Sequence, residues 1–482
     1  MPTDKPNILL ITADQQRFDT AGSAAPRWMR TPHYDHLCRE GVTFSRAYSD
    51  CPICVPARVG IMTGKSVFTH GMSGNGGTTG VIDRNRSLPS LLRAAGYQTA
   101  AIGKMHFTPE RARHGFDEMI IPTDYYRHMQ RTAGDLQPMR HGLGQNELYP
   151  TMATVPESMT LTNWIAEQCM EYVRFRRDPT QPFFLWCSFS KPHPPFDPPE
   201  PYYSMYRDAD IPEPIASDWC GDEAAPAPFV RHRQAWSCDL VPPEVIRAAR
   251  AAYYGLITQI DYNIGRVFAG LQDLRIFNDT LILYTSDHGE FLGDHRTGGK
   301  AFFHESAAHV PFALRLPQGW SDRCYGTVCE TPVTYCDIMP TFLAAAGAAG
   351  AYDGEGIDLT ALARGQAAPR QYVEGCGHGM EWAGITDGRW KYMWYPEGAV
   401  EQLFDVQTDP HEEHELSRRS EHAGKLAELR EELTGRQAAR GTDWVKAGRL
   451  ISKPLLGDSE RDRRNRPWPG YHTEHCEIDV RH

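Results

Sequence analysis

A short segment near the amino terminus has the composition of a nucleophile held at the start of a helix. Residues 54–64 read CVPARVGIMTG. Pro56 suits the first turn of a helix, which places Cys54 at or just before the helix amino terminus. The unpaired N–H groups and the helix dipole favour negative charge there, so the thiol should be acidic and reactive. Arg58, one turn later, adds a fixed positive charge whose fork geometry suits an oxyanion.

Cys51 and Cys54 also form a C-x-x-C pair, which leaves other interpretations of this segment open. No second C-x-x-C accompanies the first, so zinc binding is not indicated, but a redox-active pair is an alternative. Cys54 could also be an ordinary buried thiol, since the chain has 12 cysteines and a reducing cytoplasm would keep most of them unpaired. Pro56 and Arg58 favour the interpretation of Cys54 as a nucleophile.

Four apolar runs have the length and composition of buried strands, namely residues 8–11, 99–102, 183–189 and 281–285. Polar side chains that could bind a metal or an anion follow each run. In chain order they are Asp14 and Gln15, Lys104 and His106, Lys191 and His193, and Asp287 and His288. Ligands of parallel α/β sheets bind beyond the carboxyl ends of the strands. We therefore expect these side chains to converge at one edge of a sheet.

A divalent metal site is the first chemistry that these strand ends suggest. Such an ion needs several hard oxygen ligands, with or without an imidazole, and Asp14, Gln15, Asp287 and His288 supply both. The imidazole and the low negative charge favour Mn²⁺ weakly over Ca²⁺, and both ions remain candidates. Taken singly, Asp14 could be a strand-end cap and His288 a satisfied buried histidine.

Helical patterns between the strands predict an α/β domain with a mainly parallel sheet. Residues 87–95 form a short helix that Gly96 can close in a left-handed conformation. From residue 253 to 274, apolar residues recur at spacings of three and four, which indicates one stripe on a long helix.

The pattern changes after about residue 365. Two short runs, residues 390–394 and 402–406, flank the turn Pro396-Glu397-Gly398 and resemble an antiparallel hairpin. Residues 420–436 predict a charged amphipathic helix. We therefore predict a catalytic domain at 1–370 and a smaller α+β domain at 371–482, whose last thirty or so residues form a tail.

Length, composition and charge narrow the class of protein. A chain of 482 residues is too long for one compact core, and 41% hydrophobic with 23% charged residues is ordinary for a soluble globular protein. The net charge of -11 argues against nucleic acid or an anionic membrane as partner. No apolar run is long enough to span a bilayer, and the run at 8–11 is too short for a signal peptide, which predicts a cytoplasmic protein.

The nucleophile segment resembles the C-x-P-S-R signature of the type I sulfatases of the alkaline phosphatase superfamily, with Ala57 where serine is usual. The resemblance extends over nearly the whole chain, through NILL at 7–10, GKMH at 103–106, SDHGE at 286–290 and the later Asp405 and Asp409-Pro410. It implies an alkaline phosphatase-like fold, with a large, mixed, mostly parallel sheet flanked by helices, and a sulfuric ester hydrolase of the arylsulfatase type.

The resemblance also assigns the nucleophile and the metal. A formylglycine-generating enzyme would oxidise Cys54 to formylglycine, whose hydrate attacks sulfur. Asp14, Gln15, Asp287, His288 and the modified Cys54 would bind the divalent metal. Many family members instead have Asp-Asp and Asp-Asn pairs and bind calcium, so this chain resembles the branch that contains phosphonate monoester hydrolases and choline sulfatases.

The remaining roles follow from the same resemblance. Arg58 would hold the hydrate, and Lys104 and Lys300 would bind sulfate oxygens. His193, with Lys300, would protonate the leaving alcohol. His106 would then take a proton from the second hydroxyl, so that sulfate leaves and the aldehyde returns.

Two competing functions stay open. The metal pattern also fits a phosphonate monoester or phosphodiester hydrolase, although Lys104 and His106 are the sulfatase form. If Cys54 remained a thiol, the protein would be a non-catalytic module that binds a metal and an anion. A small-molecule or carbohydrate sulfate is the expected substrate. We expect loops 124–150 and 219–237 to select its alcohol, and the tail to contact a second subunit in a homo-oligomer.

Overall fold

Two main β-sheets organise the protein, whose computed structural model describes residues 5–221, 224–320 and 324–456. The strands of the larger sheet are β1 (Asn7–Asp14), β2 (Val42–Phe44), β3 (Gln98–Gly103), β4 (Glu118–Ile120), β5 (Phe183–Pro192), β6 (Thr280–Ser286), β7 (Phe312–Arg315) and β8 (Thr327–Cys329). They lie in the order β4-β3-β5-β1-β6-β7-β2-β8. All neighbours are parallel except β7, which runs antiparallel to β6 and β2. The expected large, mixed, mostly parallel sheet is confirmed.

The four strands that the sequence predicts are adjacent in this sheet, in the order β3-β5-β1-β6. Each is longer than its apolar run because polar residues continue the hydrogen-bond ladder. Asn7 pairs with Thr280 at one end of β1, and Asp14 pairs with Pro192 at the other. The four carboxyl ends therefore lie side by side, as we expected.

α-Helices cover both faces of the larger sheet. They are α1 (Pro32–Glu40), α2 (Cys54–Thr63), α3 (Val67–His70), α4 (Leu88–Ala94), α5 (Pro122–Thr132), α6 (Leu161–Glu171), α7 (Tyr202–Met205), α8 (Ala227–Trp236), α9 (Pro243–Asp273), α10 (Glu305–Ala308), α11 (Ile338–Ala345), α12 (Leu359–Ala363) and α13 (Ala423–Arg440). On one face α2, α4 and α11 contact one another, and on the other α6 and α9 pack on β5. Alternate residues of β1 serve the two cores, Leu10 on the first face and Leu9 on the second.

Two predicted helices appear close to their expected bounds. Helix α4 begins after Ser87, and Gly96 beyond its end has a φ of 92°, the left-handed conformation predicted for it. Helix α9 contains the predicted apolar stripe, whose members from Tyr253 to Leu271 are buried. It also begins ten residues before the stripe, at Pro243, a residue favoured in a first turn.

The smaller sheet is antiparallel and contains β9 (Val373–Cys376), β10 (Ala383–Thr386), β11 (Trp390–Tyr395) and β12 (Val400–Asp405) in the order β12-β11-β10-β9. The predicted hairpin is the β11–β12 pair. Helix α13 packs on β10 and β11, and it begins three residues later than predicted because Ser420–His422 form a 3-10 turn. Two short strands, β13 (Val445–Lys446) and β14 (Arg449–Leu450), follow.

The predicted division at residue 370 lies between α12 and β9, and as a domain boundary it stays a prediction. Most of the predicted tail, residues 457–482, lies outside the described residues. Within the described part of the chain, no helix is both long and apolar enough to cross a membrane.

Candidate active site

Cys54 is the first residue of α2 and is fully buried below the carboxyl edge of the larger sheet. Its Sγ lies 3.8 Å from Asp14 Oδ1 and 3.2 Å from His288 Nε2. Burial alone would raise the pKa of the thiol, but the positive charges of Lys104 and Lys300 hold that pKa well below its ordinary value. The surrounding cations therefore favour the charged form of the sulfur, as the helix-start position predicts.

Arg58, one helical turn further along α2, joins the two acidic strand ends. Its guanidinium donates to Asp14 Oδ2 at 3.1 Å and to Asp287 Oδ2 at 2.9 Å. It also donates to Ser188 Oγ at 2.9 Å. The Arg58 side chain is only 1% exposed. Its charge therefore offsets the repulsion between two buried carboxylates, which would be costly without it.

Asp14, Cys54, Asp287 and His288 form a compact group of potential metal ligands. One donor atom of each lies within 4.8 Å of every other, and all four residues are buried. Nδ1 of His288 lies 2.9 Å from the carbonyl oxygen of Gly289. A carbonyl can only accept, so Nδ1 carries a proton. Burial opposes a charge on the ring, but Asp287 and Cys54 raise the pKa of His288 above its ordinary value. When the ring loses its second proton, the lone pair of Nε2 faces the cluster. This orientation is typical of a metal-bound histidine.

Gln15 lies beside this cluster and is held at both ends of its amide. Its Oε1 accepts a hydrogen bond from Lys300, and its Nε2 donates to Glu290. Its backbone N–H donates to Asp287 Oδ1 at 3.0 Å, with a φ of 74° that L-residues rarely adopt. Such local strain clusters at functional sites, where surrounding contacts enforce it.

Lys104, immediately after β3, contacts the same carboxylate as Arg58. Its Nζ lies 2.7 Å from Asp14 Oδ2, and its side chain is 16% exposed. Burial opposes the charge on Lys104, but Asp14 and Cys54 raise its pKa above the ordinary value. Lys104 therefore stays charged and presents a cation at the exposed side of the site, where an anionic substrate could reach it.

His193 and Lys300 form a hydrogen-bonded pair, although their strand-end loops are far apart in sequence. Lys300 Nζ lies 3.1 Å from His193 Nε2, and His193 Nδ1 lies 2.9 Å from the carbonyl oxygen of Pro194. Burial and the charges of Lys104 and Lys300 lower the pKa of His193 to about 3. The imidazole is therefore neutral at ordinary pH, with Nδ1 protonated and Nε2 accepting from Lys300.

His106 completes the ring around the sulfur. It contributes a hydrogen bond that lowers the pKa of Cys54. Its backbone has a φ of 57°, and its buried Nδ1 has no hydrogen-bond partner among the described residues. A buried nitrogen without a partner is costly, so it marks a place where a ligand or a reacting group could bind.

The structure brings all the predicted site residues together at this edge, and it adds two that the sequence analysis did not assign. Ser188 Oγ accepts from Arg58 and donates to the carbonyl oxygen of Lys104 at 2.6 Å. Glu290 Oε1 accepts from the Leu292 amide at 2.9 Å. Ser188 lies inside a buried strand and carries no sequence signal. Glu290 belongs to the SDHGE segment, and that motif is a sequence signal that could have identified it.

The structure separates the two members of the C-x-x-C pair. Cys51 belongs to an apolar cluster beneath the smaller sheet, and its Sγ contacts the carbonyl oxygen of Ser73 at 3.6 Å. Burial raises the pKa of Cys51 well above its ordinary value, opposite to Cys54. Both cysteines are free thiols, so the environment favours the nucleophile over the redox pair.

Comparisons with known proteins agree with this geometry. The family model described as "Sulfatase" matches residues 6–348, and one described as "N-sulphoglucosamine sulphohydrolase, C-terminal" matches residues 293–439. An arylsulfatase of Clostridium perfringens is 32% identical over 475 residues, which cover 93% of this chain and 97% of that protein. A choline-sulfatase of Rhizobium meliloti is 29% identical, over 85% of this chain and 82% of that one. A phosphonate monoester hydrolase from Silicibacter pomeroyi superposes with a TM-score of 0.75 at 25% identity, covering 90% of this chain and 96% of that chain.

Proposed function

The chain belongs to the sulfatase family and is a sulfuric ester hydrolase; we propose that it works through a formylglycine made from Cys54 and one divalent metal. The observation that carries the proposal is the buried contact of Cys54 Sγ with Asp14 and His288, at 3.8 Å and 3.2 Å. When Cys54 is converted by a formylglycine-generating enzyme, the hydrated aldehyde offers one hydroxyl to attack sulfur and a second to release the sulfate.

The donors fit a divalent metal, with Asp14, Asp287, His288 and the modified Cys54 as ligands and Gln15 beside them. When bound, the ion acts as a Lewis acid that makes a hydroxyl in its coordination sphere more acidic. The four donor atoms already lie within 4.8 Å of one another. An imidazole among carboxylates suits Mn²⁺ better than Ca²⁺, so we favour Mn²⁺.

We assign the binding of the sulfate group to the cations at the exposed side of the site. Lys104 and Lys300 bind its oxygens, and Arg58 holds the nucleophile against the acidic ligands. As the S–O bond to the alcohol breaks, Lys300 supplies the proton to the alcohol oxygen, directly or through His193 Nε2. His193 cannot begin as the acid because it is neutral, with its pKa lowered to about 3 by burial and by Lys104 and Lys300.

His106 acts in the second half of the reaction. His106 lies beside the nucleophile position, and in the tautomer whose lone pair faces that position its imidazole removes the proton from the second hydroxyl. The C–O bond to sulfate then breaks, the carbonyl reforms, and sulfate leaves with the bonding electrons. This release needs no second attack at sulfur.

The second candidate is hydrolysis of phosphonate monoesters or phosphodiesters at the same site. It is favoured by Gln15 and His288 at the metal and by the likeness to a solved phosphonate monoester hydrolase, with a TM-score of 0.75. Lys104 and His106 favour the sulfatase as the main activity.

The test is production of the full chain with a formylglycine-generating enzyme, followed by peptide mass measurement and kinetics. We expect the Cys54 peptide to lose one sulfur and two hydrogens and to gain one oxygen, as conversion of CH2SH to an aldehyde requires. Cys54→Ala should lower sulfate release from 4-nitrophenyl sulfate by about 10⁴-fold or more. Hydrolysis of 4-nitrophenyl phenylphosphonate should show a lower kcat/KM. Unchanged sulfate release by the Cys54→Ala enzyme would refute the proposal, and a higher kcat/KM for the phosphonate would favour the second candidate.

A further inference from the structure

A cavity opens beside Lys104 and His193, between α5, α6 and α9. Several residues of the loop at 124–150 line it, so this loop is placed to contact the alcohol part of a substrate, as we expected. The described residues of 219–237 do not line it, since Trp219 packs in a separate apolar cluster near the smaller sheet. His193 lies where the cavity meets the proposed sulfate site, so the loop that carries it belongs to both.

The loop that carries His193, residues 191–197, has few backbone donors with which to hold its own shape. It reads KPHPPFD, and its three prolines have no N–H to donate. Its ends are anchored on other segments. The His193 amide donates to the carbonyl oxygen of Asp14 at 3.0 Å, and the carbonyl oxygen of Phe196 accepts from the Thr151 amide at 3.0 Å. Between these anchors the carbonyl oxygens depend largely on side-chain donors.

Lys191, near the end of β5, supplies such donors. Its Nζ donates to the carbonyl oxygen of Pro195 at 2.6 Å and lies 3.5 Å from that of His193. The carbonyl oxygen of Pro194, between these two, is the one that accepts from Nδ1 of His193 at 2.9 Å. Lys191 therefore holds the peptide units on either side of the carbonyl that sets the tautomer of His193.

Asp197 holds the same loop from its far end. Its Oδ1 contacts Lys191 Nζ, and its Oδ2 accepts from Nε2 of His141 at 3.2 Å. Nδ1 of His141 accepts from the Leu143 amide at 3.1 Å, so Nε2 carries the proton in that ring. The side chains of His141 and Asp197 are only 6% and 10% exposed. These contacts join the loop at 124–150 to the loop that carries His193.

The donors of Lys191 are directed at the protein, although this residue lines the cavity. An ammonium has three N–H groups. The acceptors around this one are Asp197 Oδ1 and the carbonyl oxygens of Pro195 and His193. The proposed mechanism has no use for Lys191 as a ligand of sulfate. Lys191 can therefore act on the reaction only through the loop that it holds.

From these contacts we infer that Lys191, Asp197 and His141 are positioning residues for His193. They hold its imidazole so that Nε2 meets Lys300 at 3.1 Å, which is the arrangement that passes a proton to the leaving alcohol. The inference rests on the proposed function, since it takes His193 as the proton relay beside Lys300. Because His141 belongs to a loop that lines the cavity, the cavity wall and the relay are held in place together.

The first test is Lys191→Met in the full-length, formylglycine-containing enzyme, with 4-nitrophenyl sulfate and 4-methylphenyl sulfate as substrates. The two alcohols have similar shapes, but 4-methylphenol is the poorer leaving group and needs the proton more. We expect kcat/KM to fall by about 10- to 100-fold for the methylphenyl ester and by about 3-fold or less for the nitrophenyl ester. Equal losses for the two esters, or native values for both, would overturn the inference.

The matched control is Lys425→Met, which removes the lysine of a surface ion pair with Glu428 on α13. It should leave kcat/KM for both esters unchanged. Circular dichroism should show the same fold in Lys191→Met, because the two ends of the loop keep their backbone anchors.

A double variant shows whether Lys191 acts through His193. His193→Ala alone should lower kcat/KM for 4-methylphenyl sulfate by about 10²-fold. In that background Lys191→Met should cost less than about 2-fold more, since the group that it positions is already gone. Fully additive losses would contradict the inference while leaving His193 essential. An unchanged rate in His193→Ala, or no sulfate release by the native enzyme, would instead contradict the proposed function, and the inference with it.

Two substitutions of His141 test the contact with Asp197 independently of Lys191→Met. His141→Gln keeps an Nε2 donor for the carboxylate and His141→Leu does not, while both lose the contact with the Leu143 amide. We expect His141→Leu to lower kcat/KM for 4-methylphenyl sulfate by about 5-fold or more, and His141→Gln to stay within about 2-fold of the native value. Equal values for the two variants would refute a positioning role for His141.

Discussion

At the scale of single residues, backbone carbonyls decide which nitrogen can react in two of the site histidines, His288 and His193. Gly289 and Pro194 accept from Nδ1 of His288 and His193, each at 2.9 Å. Both rings therefore turn Nε2 inward, one toward Cys54 and the other toward Lys300. The same ring type can thus serve as a metal ligand in one place and as a proton relay in the other.

Lys300 should matter most when the leaving alcohol is a poor one. Because Lys300 is the proposed proton source, Lys300→Met should lower kcat for an alkyl sulfate by about 10²-fold or more. The loss for 4-nitrophenyl sulfate should be clearly smaller, since that alcohol leaves without needing a proton. Rates measured along a series of leaving groups, with Lys446→Met as an exposed control, check this. An equal loss of kcat for every leaving group would show that Lys300 binds sulfate but does not supply the proton.

Glu290 should act as a positioning residue for the Gln15 amide. Its carboxylate accepts from Gln15 Nε2, from the Leu292 amide and from the Gly299 amide. A glutamine has one acceptor oxygen, so Glu290→Gln should turn the Gln15 amide and move its Oε1 away from Lys300. We expect metal affinity and kcat each to fall by about 10- to 100-fold.

Metal titration and steady-state kinetics measure the effect of Glu290→Gln, and Glu244→Gln serves as an exposed control. Circular dichroism should show the same fold in both variants. If Glu290→Gln changed the thermal midpoint but left metal affinity and kcat unchanged, the role of Glu290 would be structural only.

At the scale of elements, one helix supplies the amino-terminal cap of another. Thr31, the capping position of α1, makes no side-chain cap hydrogen bond. Asp261 in the middle of α9 accepts instead from the backbone N–H groups of His33 at 3.0 Å and Tyr34 at 2.8 Å. The orphan donors of α1 are thus satisfied by tertiary packing, which also fixes α1 on α9.

Asp261 should make stability depend on pH. Burial raises its pKa to about 7 in the folded protein, from an ordinary value of 3.8. The fold therefore prefers the protonated acid, and this contribution is complete below 3.8 and is lost as pH rises through about 7. Since a tenfold change in proton affinity is worth about 1.4 kcal/mol, the loss is on the order of 4 kcal/mol.

Asp261→Asn cannot ionise, so its free energy of unfolding should fall less between about pH 4 and pH 8 than that of the native protein. At the lower pH it should be less stable by about 1–3 kcal/mol, since its amide cannot accept both backbone donors with one oxygen. Urea unfolding at several pH values, with the exposed Asp273→Asn as control, provides the comparison. Parallel pH curves for Asp261→Asn and the native protein would contradict this account.

At the scale of the whole molecule, a buried ion cluster joins the smaller sheet to α10. Lys391 on β11 is fully buried and contacts Glu305 of α10 and Glu412, the latter at 2.9 Å. Its Nζ also lies 5.2 Å from the ring centroid of Tyr48. These buried charges therefore fix the smaller sheet to the part of the chain that carries the site. If one partner were lost, no water could take its place.

Lys391→Met should lower the free energy of unfolding by about 3–5 kcal/mol, because it removes the cationic partner of the buried Glu412 and leaves the buried Glu305 with His309 alone, at 2.6 Å. The triple variant Lys391→Met, Glu305→Gln, Glu412→Gln removes all three charges and should recover much of that loss. Denaturant unfolding of the three proteins measures both steps. A native-like stability of the single variant would show that the cluster does not hold the smaller sheet on α10.

The sequence by itself determined the sulfatase family, four strands of the larger sheet, the β11–β12 hairpin, the helices α4, α9 and α13, and the residues expected at the site. Those features are local: apolar runs mark β3, β5, β1 and β6, and the residues just beyond them follow from chain continuity. Parallel strands align their carboxyl ends, so the convergence of Asp14, Lys104 and Asp287 could also be predicted.

Only the tertiary structure decided the contacts that depend on distant backbone. In the sequence Ser188 is an ordinary residue of a buried strand, and only the structure places its Oγ 2.9 Å from the Arg58 guanidinium. The neutral state of His193 likewise follows from its burial beside Lys300. The cavity of about 700 Å³ beside Lys104 and His193 also combines residues of α5, α6 and α9, which are far apart in sequence. Burial, tautomer and cavity shape are set by the packing of remote elements, and no local pattern of residues encodes them.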